Sequence, residues 1–355
     1  VLNGQFVSKE DWPASELNPL PETLRAVTPD RLSGALLRQN PLNSSVAWQM
    51  AESSEFDIPA TDFFRGKGLD EKALDFINVN NSYGNRLEDT SLLMLYRVGA
   101  AISRAIGMRQ PLYEVAGGNM RLPEAMAASL SASVLHGRLA QEVIQTTAAV
   151  TVKCAGGEEF QADAVICALP ATAVRDLVFS PGLPEAQAAA FREVEYHKIT
   201  QAHLLADQAY WESSGQPASL WTNGPLGRIF TSPNGAGEGL HNITVWINGD
   251  SCDRYAAVEE EAAAAAILAE FHRTVPASRG AVKMSRLVRW ANDPLNQGAW
   301  AVWRPGQVHR VPALLGQAHD RVFFAGEHTA VSNSGMEGAT ESSDRVVLEA
   351  LRRLS

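Results

Sequence analysis

The stretch Arg321-Val322-Phe323-Phe324-Ala325-Gly326-Glu327-His328-Thr329 precedes a short loop, the segment Gly335-Met336-Glu337-Gly338-Ala339 and a final run to Ser355. Consecutive large apolar residues are typical of a strand that is buried on both faces. A strand, a glycine-containing turn and a helix are the elements with which α/β proteins bring backbone N–H groups to a bound ligand. The C-terminal region therefore predicts a buried strand, a ligand-binding turn and a packed helix.

The final run is predicted to be an amphipathic helix, since its apolar residues recur at steps of three and four. Its acidic residues come early, and Arg352 and Arg353 come last, as the helix dipole favours. From this pattern alone, an ordinary strand with a packing helix and no ligand is an equally good interpretation. The residues that should share one face are Met336, Ala339, Ser343, Val346, Val347, Ala350, Leu351 and Leu354.

The composition describes a chain that can bury a large core. Its 355 residues exceed one average domain, and 45% of them are hydrophobic against 20% charged, which excludes a disordered chain. With 30 basic and 40 acidic residues the net charge is -10, which argues against nucleic acid or an anionic membrane as a partner. The sequence contains no run of about 18 apolar residues, so no membrane span is predicted. A small-molecule partner fits this composition best.

The cysteines Cys154, Cys167 and Cys252 lie far apart and form no CxxC pair or Cys/His cluster. Neither a metal site nor a disulfide framework is therefore predicted. The chain opens on Val1 without a basic and apolar leader, so we expect that it does not begin where its gene does. The compartment stays unknown, because any leader would lie outside this chain.

Turn residues and periodicity divide the chain into alternating regions. Asn3-Gly4 predicts a short hairpin turn, and residues 21–108 are mostly helical with proline breaks. A Gly-Gly turn within residues 113–123 should open the next helix. The predicted helices cover 91–106, 124–132 and 258–271, and the predicted strands cover 142–145, 149–153, 164–169, 201–205 and 243–247.

Two C-terminal motifs carry a resemblance to a known family. Residues 324–329, FAGEHT, and residues 334–343, SGMEGATESS, resemble the C-terminal flavin-binding signature of the FAD-dependent amine oxidase family. This family includes monoamine oxidases, polyamine oxidases, L-amino acid oxidases and bacterial nicotine oxidases. The Gly-Gly, Leu-Pro and helix pattern from residue 113 onward is similar to the family's return from substrate domain to flavin domain. The resemblance extends over nearly the whole chain.

The resemblance implies an α/β plus α+β fold in which two domains are interleaved. An incomplete Rossmann-type FAD domain would comprise residues 113–170 and 298–355. A substrate domain that mixes helices with an antiparallel sheet would comprise residues 1–112, which are mostly helical, and residues 171–297.

The resemblance also implies contacts to FAD. The backbone of Val143 would contact the adenine, Gly326 and Glu327 would lie near the ribityl-pyrophosphate, and the N–H of Met336 would face the pyrimidine edge. Ala299 stands where monoamine oxidases attach FAD through a cysteine, so the FAD is expected to be noncovalent. The cofactor-binding residues that the resemblance implies are Val143, Ala168, Pro170, Gly326, Glu327, Gly335, Met336 and Glu337.

Three residues are implied on the substrate side: Trp300, Gly335 and Gln201. Trp300 matches the first position of the aromatic cage, although a tryptophan in a strand is otherwise most often a core residue. Gly335 stands where monoamine oxidases carry the second aromatic residue, so the cage would be open to a bulkier amine or an amino acid; the alternative is a tight helix entry. Gln201 replaces the lysine that holds a water near the flavin, and Lys198 would point to the opposite face. Either Gln201 holds the water, or reactivity with O₂ is altered.

The chain lacks the glycine motif of a dinucleotide-binding domain. Such a domain needs GxGxxG between a strand and a helix, because only glycine lets the backbone approach the pyrophosphate. Gly66-Lys67-Gly68 lacks the third glycine, and the glycines at 235–239 precede a strand. By comparison with the family, roughly a hundred residues that carry the first βαβ unit are missing. That unit is a separate subunit made by proteolysis or a split gene, or was lost from this chain, or the protein never bound FAD. The intact flavin-side segments favour the first two.

The resulting functional hypothesis is oxidation of the C–N bond of an amine or amino acid to an imine by hydride transfer to FAD, with reoxidation by O₂ or another acceptor. The expected partners are the substrate and an N-terminal FAD-binding fragment or subunit, with a homo-oligomer as an open alternative. The main rival is a flavin-free homologue that acts as a binding or assembly subunit. A flavin desaturase or isomerase fits Trp300 and the FAGEHT motif less well.

Overall fold

A computed structural model describes residues 1–107, 115–234 and 239–355. Three features named above lie outside these ranges. They are the first two residues of the predicted turn segment, Tyr113 and Glu114, the domain boundary predicted between residues 112 and 113, and the glycine-rich residues 235–238. The other domain boundaries stay predictions.

The described chain folds into helices around two larger sheets and two short strand pairs. The helices are α1 Leu32–Leu36, α2 Ala60–Gly66, α3 Glu71–Asn80, α4 Leu92–Gly107, α5 Arg121–Ala128, α6 Ala171–Val174, α7 Glu185–Glu193, α8 Tyr210–Ser214, α9 Asp253–Ala256, α10 Glu260–Thr274, α11 Val311–Leu315 and α12 Gly335–Leu354. The strands are β1 Ala140–Gln145, β2 Val150–Cys154, β3 Glu159–Ala162, β4 Val165–Cys167, β5 Val178–Ser180, β6 Glu195–Tyr196, β7 Ile199–Ala206, β8 Leu220–Trp221, β9 Arg228–Pro233, β10 His241–Asn248, β11 Val282–Arg289, β12 Ala301–Val302 and β13 Val322–Phe324.

The sheets have simple orders. One sheet runs β3-β2-β1-β5, with β1 and β5 parallel, and the other runs β11-β7-β10-β9-β8 with antiparallel neighbours throughout. Strand β12 pairs with β6, and β13 pairs in parallel with β4. Strands β3 and β5 were not predicted from the sequence. Strand β5 follows the predicted domain boundary at residue 170 but pairs with β1.

Strand β13 confirms the buried strand that the C-terminal sequence predicts. All three residues are at most 1% exposed. Because successive side chains point to opposite faces, Phe324 packs on Phe179 and Phe191, whereas Phe323 packs with Val346 of α12. Full burial of one phenylalanine contributes about 2 to 3 kcal/mol to folding, so both faces hold the strand in place.

The final helix is also confirmed, but only part of the predicted face is buried. Of the predicted residues, Val346 and Ala350 are buried, whereas Val347 and Leu351 are 45% and 60% exposed. The buried column is completed by Gly338 and Ser342, which were not predicted. The buried residues are few because the helix contacts β13 only along a narrow stripe of residues spaced four apart. The spacing of apolar residues in the sequence does not show where this stripe lies.

The five-stranded sheet is covered on one face by α10. Ala202 and Leu204 of β7 pack into the same core as Ile267 and Phe271 of α10. The alternate residues of β7, among them Gln201, are only partly buried and face the other side. The antiparallel strands and the alanine-rich helix therefore confirm their predictions, and the open face remains available for a site.

The N-terminal region is helical, as predicted, and its predicted hairpin is reduced to one bridge. Leu2 and Gln5 exchange two hydrogen bonds of 2.8 Å across the Asn3-Gly4 turn, in which both residues have positive φ. The helix predicted over 91–106 is α4. No helix in the described ranges is long and apolar enough to cross a membrane.

The segment from Val115 to Leu139 differs from the rest because every residue in it is exposed. The predicted Gly-Gly turn is present at Gly117 and Gly118, both with positive φ. Helix α5 starts at Arg121 rather than at residue 124, since a proline is tolerated in the first turn. The apolar side chains exposed along this segment are Val115, Met120, Leu122, Met126, Leu130, Val134, Leu135 and Leu139.

Arg345 connects α12 to the strand and turn beneath it. Its guanidinium donates to the carbonyl oxygen of Phe324 at 2.6 Å, to Oγ1 of Thr329 at 3.1 Å and to the carbonyl oxygen of Gly316 at 3.4 Å. It also pairs with Glu349 one turn later on the helix. This side chain satisfies acceptors that would otherwise lose their partners where β13 ends.

We expect Arg345→Met to lower the free energy of unfolding by about 2 kcal/mol, because charged hydrogen bonds to partly buried carbonyls are lost. Denaturant unfolding followed by circular dichroism measures this change. Arg352→Met, at the exposed end of the same helix, is the matched control and should change the value by less than about 0.5 kcal/mol. Equal effects of the two substitutions would contradict the prediction.

Candidate functional site

The carboxyl ends of β4 and β13 lie side by side and form one edge of the candidate site. Ala325 donates its N–H to the carbonyl oxygen of Cys167 at 3.0 Å, which continues the parallel register by one residue. Ala168 and Pro170 therefore follow one strand where Gly326 and Glu327 follow the other. Ligands of open α/β sheets bind at this edge. The structure thus brings four of the predicted cofactor residues together.

Gly326 has a conformation and a neighbour that both require glycine. Its φ is 133°, and an added Cβ would lie 2.5 Å from a carbon of the His328 ring. Its N–H donates to Oγ of Ser342 on α12 at 2.9 Å. The turn is therefore held by the final helix, and its backbone can approach a ligand closely.

Glu327 follows Gly326 in the turn, and its carboxyl group is buried. Its Oε1 accepts a 2.8 Å hydrogen bond from the N–H of Ala301, the residue after Trp300. Burial raises the pKa of Glu327 to about 7, against the opposing effects of the Ala301 N–H and of the charge on Arg97. The carboxyl group thus joins the Gly-Glu turn to β12, which begins one residue after Trp300.

Trp300 is fixed at both its ring and its backbone. The indole Nε1 donates to the carbonyl oxygen of Ser82 at 2.8 Å, and the backbone carbonyl accepts from the N–H of His197 at 2.8 Å. The His197 ring stacks on the indole with the centroids 5.4 Å apart. Burial lowers the pKa of His197 to about 4, so this wall of the site carries no charge at neutral pH. Gly298 permits the arrangement, because a Cβ there would lie 2.3 Å from Cβ of Tyr196.

Gln201 lies on the open face of the five-stranded sheet. Its neighbours across the strands are Trp246 and Val288. Its Oε1 accepts a 3.1 Å hydrogen bond from Nε1 of Trp290. Lys198 does not share this face, since its Nζ pairs with Asp250 and with a second aspartate, Asp253. The structure therefore supports the expectation that Lys198 points elsewhere.

Gly335, Met336 and Glu337 form the first turn of α12 and are exposed. Gly335 has a φ of 59°, and a Cβ there would meet no atom within 4 Å, which agrees with both an open side and a tight helix entry. Ser334 makes no capping hydrogen bond. The first-turn N–H groups thus remain available to an acceptor.

The loop before α12 is held by two charged side chains that sequence reasoning missed. Glu341 accepts from the backbone N–H groups of Val331, Ser332 and Asn333 at 2.9 to 3.0 Å. Arg97 donates to the carbonyl oxygens of Ala330 and Asn333. A glutamate inside a helix and an arginine inside another carry no pattern that predicts such bonds, so only the structure reveals them.

Val143 lies on another strand, in the core cluster that also contains Cys167, Ala301 and Phe324. It is buried in β1, opposite Val152 of β2 and Phe179 of β5. The structure gives it no contact with Trp300, Glu327 or the first turn of α12 among its described partners. Its predicted role at the adenine remains a prediction.

The residues at the carboxyl edge fit one part of a flavin dinucleotide. A glycine with no room for a side chain, the uncapped N-terminus of a 20-residue helix and an exposed strand end at Ala168 are the features that admit a polar, negatively charged cofactor. Among the described residues, no cluster of three or more His, Cys, Asp or Glu could hold a metal ion.

The raised pKa of Glu327 predicts a pH-dependent contribution to stability. A carboxyl group whose folded pKa is about 7 instead of 4.5 stabilises the fold most below pH 4.5 and loses this contribution as the pH rises through 7. We expect the free energy of unfolding of the wild type, relative to Glu327→Gln, to fall by up to about 3 kcal/mol between pH 5 and pH 8. The exposed Glu337→Gln is the control, and an equal pH slope for it would contradict the prediction.

Comparison with known proteins agrees with this geometry. Residues 25–351 match the family model described as flavin containing amine oxidoreductase. The L-amino-acid oxidase of Bothrops atrox is 25% identical over 248 residues, which are 67% of this chain and 49% of that protein. The chain thus spans about half the length of the curated relatives it matches.

Solved structures share the fold. A putrescine oxidase bound to putrescine superposes with a TM-score of 0.76 at 17% identity, over 94% of this chain and 77% of that chain. The cyclohexylamine oxidase from Brevibacterium oxydans gives a TM-score of 0.70 at 18% identity, over 94% and 74%. These likenesses confirm the amine oxidase fold that the sequence predicts. Since the family model covers nearly all of its length, this chain belongs to the flavin containing amine oxidoreductase family.

Proposed function

We propose that this chain forms the substrate side and one part of the FAD site of an enzyme that oxidises the C–N bond of an amine or amino acid to an imine. FAD would be noncovalent, since Ala299 offers no sulfur for attachment. The electron acceptor would be O₂ or another oxidant. The relatives' names, L-amino-acid oxidase and putrescine oxidase, support this class of reaction.

One observation carries the proposal. Glu327 bonds to the N–H of Ala301, so the turn expected to hold the cofactor lies directly beside the aromatic wall expected to hold the substrate. Two motifs separated by 26 residues in sequence are thereby joined at the bond between one carboxylate and one backbone group. A purely structural strand and helix would not require this contact.

The chain's own residues would bind and orient the substrate. FAD, when bound, supplies the acceptor for the hydride. The uncharged surface of Trp300 and His197 would favour a neutral amine over an ammonium ion, because an apolar wall gives no compensation for a positive charge. Gly335, which adds no side chain, would leave the opposite side open. Gln201 would hold a water near the flavin. These roles follow the resemblance and the distances above.

We infer further that a nucleotide-binding unit from outside these residues completes the cofactor site. The chain contains no GxGxxG motif. In the described ranges β13 and β4 pair only with each other, although a parallel sheet is usually covered and extended on both sides. Apolar residues are exposed along 115–139 and on α12, and such a unit would cover them.

The rival function is a flavin-free homologue that acts as a binding or assembly subunit. It is favoured by the absent glycine motif and by glutamine at position 201. The two functions differ in one cheap measurement, the visible absorbance of protein purified from its native source. A flavin band that an amine or amino acid bleaches without oxygen supports the enzyme. A colourless protein without a companion polypeptide would overturn it.

Trp300 provides the sharpest test of the substrate wall. We expect Trp300→Ala to lower kcat/KM about 100-fold and Trp300→Phe about 10-fold, because the ring surface and its bond to Ser82 orient the substrate. Steady-state kinetics of the holoenzyme measures this. Trp211→Phe, at a half-buried position of α8 that packs against the core on the covered face of the sheet, should leave kcat/KM within about twofold. Wild-type kinetics for Trp300→Ala at full flavin content would contradict the role.

Gln201 provides a test of the electron acceptor. We expect slow reoxidation by O₂, and we expect Gln201→Lys to accelerate it at least about 10-fold, because a cation stabilises the negative charge that develops on oxygen. Stopped-flow mixing of reduced enzyme with oxygen gives the rate. Gln201→Met, which adds no charge, is the matched control. Peroxide production by the wild type as fast as with its best acceptor would refute the expectation.

A further inference from the structure

Arg228 lies on the open face of the five-stranded sheet and has no role in the proposed function so far. It begins β9, and its register partner is Trp246 of β10, which is in turn the partner of Gln201 on β7. Its Nη2 donates to Oγ of Ser82 at 3.3 Å, and the carbonyl oxygen of this serine accepts from Trp300. The guanidinium and the indole therefore flank a single residue.

The charge on Arg228 has no counter-charge in the described chain. No carboxylate of the described residues lies within ion-pair distance of its guanidinium, in contrast to the buried Arg97, which is near Glu327 and Glu341. Its buried Nε has no hydrogen-bond acceptor. Burial lowers the pKa of this arginine. A partly buried cation that lacks a partner lowers the stability of the fold. Such an arrangement is therefore expected where the working protein binds an anion.

The surroundings of Arg228 hold the guanidinium in place without neutralising it. Its central carbon lies 5.5 Å from the ring centroid of Phe230 and 5.7 Å from that of Trp246. The nearby Tyr83 is a weak acid whose pKa burial raises, and His197 is uncharged at neutral pH. None of these groups is an anion. The residue is only partly buried, although its Nε is enclosed.

The spacing fits a small ligand. Neighbouring strands lie about 4.8 Å apart, so the backbones at positions 228 and 201 are about 10 Å apart. The guanidinium lies beside Trp246 on the strand between them, and it bonds to Ser82, the residue that also accepts from Trp300. An amine presented to Trp300 can place a carboxylate on the arginine. Arginine recognises a carboxylate with two parallel N–H bonds.

We propose that Arg228 binds a carboxylate of the substrate, so that the enzyme acts on amines that carry a carboxylate, that is, on amino acids. This inference rests on the proposed function and narrows its substrate class. The carboxylate is either on the carbon that bears the amine or at the far end of a longer chain. The position of Arg228 in the sheet is the same for either kind of substrate, so the structure does not choose between the two carboxylate positions.

Binding without turnover tests the inference first. Titration of the holoprotein with 3-phenylpropanoate and with its amide, followed by tryptophan fluorescence, should give at least tenfold tighter binding of the carboxylate. Arg228→Met should remove this preference, and Arg228→Lys should keep part of it. Arg286→Met, which replaces an exposed arginine on β11 at the other edge of the same sheet, should keep all of it. Equal binding of the two probes by the wild type would overturn the inference.

Kinetics distinguishes the two positions of the carboxylate. L-leucine is compared with 3-methylbutylamine, and 5-aminopentanoate with butylamine, so that each pair differs by one carboxylate. We expect one acid to exceed its amine in kcat/KM, and Arg228→Met to reduce the reaction of that acid about 100-fold while it leaves the amine within about threefold. A preference for both amines that the substitution does not alter would overturn the inference and leave the proposed function intact.

Failure of the proposed function looks different. If no amine or amino acid reduces the bound flavin, the proposed reaction is wrong, and the carboxylate binding experiment still decides the role of Arg228. If Arg228→Met does not fold, the wild-type comparison of carboxylate with amide and the Arg228→Lys variant still decide it.

Discussion

Strand β13 has a single neighbouring strand in the described chain, yet its side chains are buried on both faces. Phe324 packs into the largest core, Phe323 packs under α12, and Arg345 ties the strand's last carbonyl to that helix. The strand's register then determines the position of the Gly-Glu turn and of the Glu327 carboxyl group. A shift of one residue would exchange the two phenylalanines between faces and move Glu327 away from Ala301. The site therefore depends on the packing of three residues that take no part in it.

The loop of residues 81–85 connects the helical region to the sheets. Ser82 accepts from both Trp300 and Arg228, while Asn85 donates to the carbonyl oxygen of Tyr196 and accepts from the N–H of Lys198. Gly249 makes this docking possible, since a Cβ there would lie 2.2 Å from the carbonyl oxygen of Asn85. Several elements distant in sequence thus meet at one loop. The hydrogen bond to Ser82 in this loop therefore helps to position the Trp300 ring, in addition to the backbone of its own segment.

Sequence patterns predicted the parts of this structure that depend on local order. The buried strand, the Gly-Glu turn, α4 and the long strands β7 and β10 follow from periodicity and turn residues. The buried side of α12 was wrong in part, because a stripe of apolar residues wider than the covering strand leaves Val347 and Leu351 exposed. The bonds of Glu341 and Arg97, and the unpaired charge of Arg228, could not be predicted. Each depends on which groups from distant segments lie within a few ångströms of each other in the folded chain. Contacts between distant segments produce no periodic pattern in the sequence.

Strand β7 divides its residues between two tasks. Ala202, Leu204 and Ala206 pack into the core with α10, whereas Gln201 and His203 alternate with them on the open face. Variation at one set alters packing, and variation at the other alters only what the open face presents. New substrate preferences can therefore arise along this strand by changes at every second position, with little cost to folding. Because successive side chains of β7 point to opposite faces of the sheet, substitutions within these eight residues can change substrate specificity without changing the packing that stabilises the fold.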